Sequence, residues 1–146
     1  MCPIPESPED RALSMRRIRD ATGLDEAVLE RLVRSFYKRA RLDPEIGPRF
    51  KDVQDWESHI AKVTAFWSSV ALMSGRYQGQ PMAAHLPLEL RGLHFVRWLA
   101  LFEQTAREMC SEVAADYLME KANRIAESLK TSTSIARGEL PHRRGG

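Results

Sequence analysis

Cysteine is almost missing from this chain. Cys2 and Cys110 are the only two among 146 residues, too few for a disulfide framework and in keeping with a reducing, cytoplasmic setting. No run of about 18 apolar residues occurs, so no membrane-spanning helix is expected. The opening residues carry Pro3, Pro5 and Pro8 with acids at Glu6, Glu9 and Asp10, which is not the basic-then-apolar layout of a secretory signal. A surplus of one charge is also lacking. Lys and Arg number 22 against 20 for Asp and Glu, a net +2. The excess lies in Lys130, Arg137, Arg143 and Arg144, opposed there by Glu139 alone, and reads as a solvated tail. No basic stripe for nucleic acid is left in the body. No segment alternates in a strand period and no internal repeat is visible. HExxH, the paired ExxH of di-iron bundles, CxxC pairs, Cys-x-x-Cys-His and Gly-rich phosphate loops are all absent.

What is present is helical periodicity in a chain of ordinary globular composition, 43% apolar and 29% charged, long enough for one domain. Residues 1–24 read as a flexible extension with a short basic helix over Ser14–Arg19, 25–130 as the folded domain, and 131–146 as a disordered basic tail. Asp25 is a helix N-cap. After it Leu29, Leu32, Val33, Phe36, Tyr37 and Ala40 recur at helical spacing to about Arg41. Asp43-Pro44 and Gly47-Pro48 then turn the chain before Phe50. A second helix starts near Asp52 or Asp55, shows Trp56, His59, Ile60, Val63, Phe66, Trp67 and Val70 on one face, and ends near Ser74-Gly75, Gly75 serving as its glycine stop. A third runs from about Glu89 with His94, Phe95, Trp98, Leu101, Phe102, Thr105 and Met109 inward. The last starts near Ser111 and carries Ala114, Tyr117, Leu118, Lys121, Ile125 and Leu129. The fold class is all-α.

Three features exceed what a plain bundle needs. His59 lies in the middle of an apolar face, where an imidazole requires a polar partner or object. Tyr37 and Trp98 end apolar faces with a hydroxyl and an indole N–H to satisfy. Between the second and third helices lies Tyr77-Gln78-Gly79-Gln80-Pro81-Met82-Ala83-Ala84-His85, too long for a simple bundle connection. Gly79 and Pro81 turn it so that His85 is presented back toward the helices. The residues together describe a cavity with one basic nitrogen on one wall and hydrogen-bonding tips on another, as a metal or haem iron needs. The bland alternative is a helical interaction or sensor domain without haem, its aromatic face core and its histidines structural.

The ordered set Phe36-Tyr37, Asp43-Pro44…Gly47-Pro48-Arg49-Phe50, Trp56-x-x-His59, Phe66-Trp67, Tyr77-x-Gly79-Gln80-Pro81-x-x-x-His85 and Trp98-Leu99-x-Leu101-Phe102 resembles the group III truncated haemoglobins over roughly residues 25–129. The resemblance implies a globin-like two-over-two helical sandwich around non-covalent haem b. It implies His85 as the proximal iron ligand, and Tyr37, His59 and Trp98 as the distal residues around a bound diatomic gas. Phe50 matches the phenylalanine packed on the porphyrin. Lys62 matches a position whose basic side chain reaches a haem propionate, with a solvent-facing lysine equally open. Val63, Phe66, Tyr77 and Phe95 are taken as cofactor contacts, with Val63, Phe66, Phe95 and Trp67 not separable into lining and core. His94 shares the Trp98 wall and is not taken as the ligand. The basic C-terminus has no counterpart in the family pattern. The implied function is reversible binding of dioxygen, nitric oxide and carbon monoxide with high oxygen affinity. NO dioxygenation and peroxidase-like chemistry are both left open, and an unidentified reductase returns the iron to its ferrous state; neither nucleic acid nor membrane is an expected partner. Donors at Tyr37 and Trp98 each contribute about 1.5–3 kcal/mol to a polarised ligand, enough to slow its loss by roughly two to four orders of magnitude.

Overall fold

The computed structural model describes residues 7–77 and 92–136, with side chains to 131. Among the described residues the elements are α1 (Pro8–Thr22), α2 (Glu26–Ala40), a 3-10 turn (Gly47–Phe50), α3 (Trp56–Leu72), α4 (Gly92–Met109) and α5 (Glu112–Ala136), with no strand. They form a two-over-two helical sandwich. Helix α2 packs on α3, α4 on α5, and the pairs meet along α2 and α4.

Local chemistry explains the starts of α1, α2 and α3. Ser7 accepts the Asp10 N–H at 3.0 Å and Pro8 occupies the first turn, where its missing N–H costs nothing. This helix is longer than the Ser14–Arg19 segment expected, because Pro8 after a serine cap opens a helix rather than breaking one. Met15 and Ile18 pack against the main core and Leu24 is buried behind them. Asp25 accepts from Val28 N at 2.9 Å and Asp55 from Ser58 N at 3.1 Å. All six apolar positions read on α2 are buried.

Three details depart from the sequence reading. The left-handed residue ending α3 is Met73, at φ 60°, not Gly75. On α4 the inward position falls to Ala106, while Met109 is 37% exposed. Helix α5 continues to Ala136, past Lys130 where composition ended it. The core is aromatic at its centre: Phe102 stacks between Trp67 at 4.8 Å and Trp98 at 5.6 Å, and Phe36 meets it edge-on at 5.9 Å. Among the described residues no helix is long and apolar enough to cross a membrane.

Candidate functional site

The turn between α2 and α3 is built around one carboxylate. Asp43 Oδ1 accepts from the N–H groups of Glu45 (2.8 Å) and Ile46 (3.1 Å), and Oδ2 accepts from Arg97 of α4. The Arg97 guanidinium and the two N–H groups hold the Asp43 carboxyl below its usual range, against the opposing effect of burial. The Asp43 carbonyl accepts from Gly47 N at 2.8 Å. Gly47 is required by closeness: a Cβ there would stand 2.7 Å from the Arg41 carbonyl oxygen. Fixed in this way, the turn delivers Phe50 over the end of α2.

Phe50 joins Tyr37, Trp56 and His59 in a four-ring cluster. Tyr37 lies 5.0 Å from His59, 5.4 Å from Phe50 and 5.6 Å from Trp56. Trp56 lies 5.3 Å from His59 and 5.9 Å from Phe50. Nε2 of His59 is buried. The Tyr37 hydroxyl has no hydrogen-bond partner among the described residues, and burial pushes its pKa far above the usual phenol value.

Helix α3 has two apolar sides. Its fully buried stripe is Ile60, Thr64, Trp67, Ser68 and Ala71, set against the other helices. Trp56, His59, Val63, Phe66 and Val70 are only half-buried, so this second side is apolar without being filled by the core. Phe66 meets Tyr77 edge-on at 5.3 Å, and the Tyr77 N–H donates to Ser69 Oγ at 2.8 Å. Such a half-covered apolar side, next to a tyrosine hydroxyl without a hydrogen-bond partner among the described residues, fits a large, flat, mostly apolar group.

The remaining expected residues are placed as follows. Trp98 reaches the cluster through Phe36, 6.0 Å from it, which in turn lies 5.1 Å from Tyr37. Lys62 is exposed. Phe95 is buried in a separate small core with Ala126 and Leu129, away from the Tyr37–His59 cluster. His94 is half-buried at the start of α4. His85 lies outside the described residues, as do Gly79 and Pro81. Trp56 and Arg41 also stand at the site, beyond the residues expected from the sequence. Trp56, one turn before His59, enters the sequence reading as helix face and as part of the Trp56-x-x-His59 pattern, without a role at the site. Arg41, whose guanidinium stands 4.3 Å over the Trp56 ring, gave no signal beyond ending α2.

A family model described as bacterial-like globin matches residues 17–131. The chain is 30% identical over 109 residues to the group 3 truncated hemoglobin of Campylobacter jejuni, a span of 70% of this chain and 86% of that protein. The crystal structure of the group III truncated hemoglobin from Campylobacter jejuni is similar with a TM-score of 0.68 at 30% identity, covering 73% of this chain and 89% of that one.

Proposed function

Since the chain belongs to the group III truncated haemoglobins, within the bacterial-like globins, we propose that it holds haem b and binds dioxygen, nitric oxide and carbon monoxide on its Tyr37–His59 side. The observation that carries this reading is the buried Tyr37 ring, edge-on to His59 at 5.0 Å, whose hydroxyl has no hydrogen-bond partner among the described residues. A haem held there would supply an iron able to bind a small gas. His85 would hold it. Phe50, Val63, Phe66 and Tyr77 supply apolar contact, and Lys62, exposed on α3, is free to turn toward a propionate. Phe95, which packs with Ala126 and Leu129, is the remaining residue assigned an apolar contact.

Tyr37 and His59 orient the gas and exclude water. The Tyr37 phenol keeps its proton, because burial disfavours the phenolate, and so serves as a hydrogen-bond donor. Trp98, set behind Phe36, is a second donor. A donor held ready in an apolar enclosure favours slow oxygen loss, which suits tight binding with nitric oxide or peroxide chemistry better than oxygen carriage. Turnover in that chemistry requires a reductase, and the setting assigned is cytoplasmic. A non-haem interaction or sensor domain is not favoured, given the family. The test is a visible spectrum: the full chain with one equivalent of hemin is expected to develop a Soret band that saturates at one haem per chain. Protein that stays colourless overturns the reading.

A further inference from the structure

Tyr37, Phe50, Trp56 and His59 are all mutual neighbours, with centroid separations from 5.0 to 6.4 Å. Four rings at those spacings pack to their common centre, so Phe50 and Trp56 close one side of the Tyr37–His59 pair. The rings are not held equally. Tyr37 is embedded in α2 and 8% exposed. Phe50 ends a turn fixed by Asp43, Gly47 and Arg97. His59 sits a full turn inside α3. Trp56 is the first residue of α3, half-buried, and among the described residues no hydrogen bond ties its indole. One face of the indole carries the Arg41 guanidinium, 4.3 Å from the ring centroid. Arg41 is itself exposed, and a cation over an aromatic face at such a site is a weak contact.

We propose that Trp56 is a gate on the path by which small gases reach the Tyr37–His59 side, and that Arg41 is the positioning residue that keeps it closed. This rests on the haem reading above. The helix start lets the indole swing outward without disturbing the buried stripe of α3, and among the described residues the lost Arg41 contact is the only polar cost. Opening exposes the His59 imidazole and the Tyr37 hydroxyl together. The gate therefore sets how fast a gas enters and how often a departing one is recaptured, while the donors set how long it stays.

The experiment is carbon monoxide recombination after flash photolysis of the ferrous haem protein. Trp56→Ala is expected to raise the bimolecular rate roughly tenfold and to lower the recaptured fraction; Trp56→Phe is expected to stay near wild type. Arg41→Ala, at an exposed position where folding is not at risk, is expected to raise the rate about threefold, and Arg41→Lys to restore it. A haem-loaded Arg41→Ala protein with wild-type rates overturns the latch, and unchanged rates in a folded Trp56→Ala overturn the gate. A second arm needs no haem. Diethyl pyrocarbonate labelling of the full chain before haem loading, read residue by residue by mass spectrometry, is expected to be faster at His59 in Trp56→Ala and Arg41→Ala. Equal His59 labelling in all variants overturns the shielding on which the gate depends. A chain that takes up no haem instead overturns the haem reading, and the gate with it.

Discussion

Asp43 at the foot of α2 and Arg97 in α4 form an asymmetric ion pair, the carboxylate 3% exposed and the guanidinium 41%. The pair ties the turn carrying Phe50 to the opposite helix pair, so a residue remote from the rings fixes one of them. Its sign with pH is set by the carboxylate, whose folded pKa is depressed by Arg97 and two backbone N–H donors. A depressed carboxylate stabilises the fold above its unfolded pKa of about 3.9, and that contribution is lost as pH falls through the lower folded value. Thermal melts of wild type against Asp43→Asn are expected to show the larger loss for wild type on acidification below about pH 4. Parallel curves would remove Asp43 from the acid response. At neutral pH Asp43→Ala is expected to cost about 1–3 kcal/mol, because the Glu45 and Ile46 N–H groups lose their acceptor.

Gly47 gives a steric counterpart in the same turn. A methyl group there meets the Arg41 carbonyl oxygen at 2.7 Å and the Ala40 oxygen at 3.3 Å, both backbone atoms that cannot rotate away. Gly47→Ala is expected to destabilise by about 1–3 kcal/mol in urea unfolding. A midpoint unchanged from wild type would mean that the turn has slack the distances do not show.

How far the sequence could be read depended on how many sides of a helix are apolar. Helix α2 has one, and Leu29, Leu32, Val33, Phe36, Tyr37 and Ala40 are all buried as the spacing predicts. Helix α3 has two, so spacing alone could not say which faces the core. The side chosen, with Trp56, His59, Val63, Phe66 and Val70, is half-buried, while Thr64 and Ser68 lie on the fully buried stripe. Those two were hidden by their polarity, since a buried serine is legible only with its partner, and Ser68 finds Glu26 42 residues away. The Tyr37–His59 contact was legible as family pattern. Its closure by Trp56 and Arg41 arises from a turn geometry that no local spacing encodes.

The Ser68 contact carries a prediction of its own. Ser68 Oγ lies 2.5 Å from Glu26 Oε2 and 2.5 Å from Ser74 Oγ, and Arg76 pairs with the other Glu26 oxygen. The start of α2 is thereby fastened to the end of α3, beside the left-handed Met73. Glu26→Ala is expected to cost about 1–2 kcal/mol, discounted for the partial exposure of the pair. Combined with Ser68→Ala it should cost less than the sum of the two single changes, because both remove one bond. Simple additivity in a denaturation cycle would show the contact to be energetically idle.

The proximal assignment is tested by two histidines on different segments. His94 starts α4, on the helix that carries Trp98, and His85 belongs to the Gly-Pro segment before it. His85→Ala is expected to lose haem or hold it weakly, and His94→Ala to keep a wild-type Soret band, in a hemin titration followed by transfer to apomyoglobin. The reverse result would put the iron ligand on α4 and exchange the two walls of the site.

Tyr37→Phe separates stability from function at a single oxygen atom. The hydroxyl lies in a buried ring with no hydrogen-bond partner among the described residues, so the fold gains nothing from it. Its removal is expected to leave the unfolding free energy unchanged or slightly higher. Oxygen dissociation, measured by stopped-flow displacement with carbon monoxide, is expected to accelerate about 10- to 100-fold, the loss of one hydrogen bond of roughly 1.5–3 kcal/mol to a polarised ligand. The gas entry rate should hardly change, because Trp56 and Phe50 still close the cluster around the phenyl ring. A stability loss with no change in oxygen dissociation would make the hydroxyl a structural group and remove Tyr37 from the distal donors. A faster off-rate at constant stability would instead mean that the fold bears an unmatched hydroxyl for the sake of the gas.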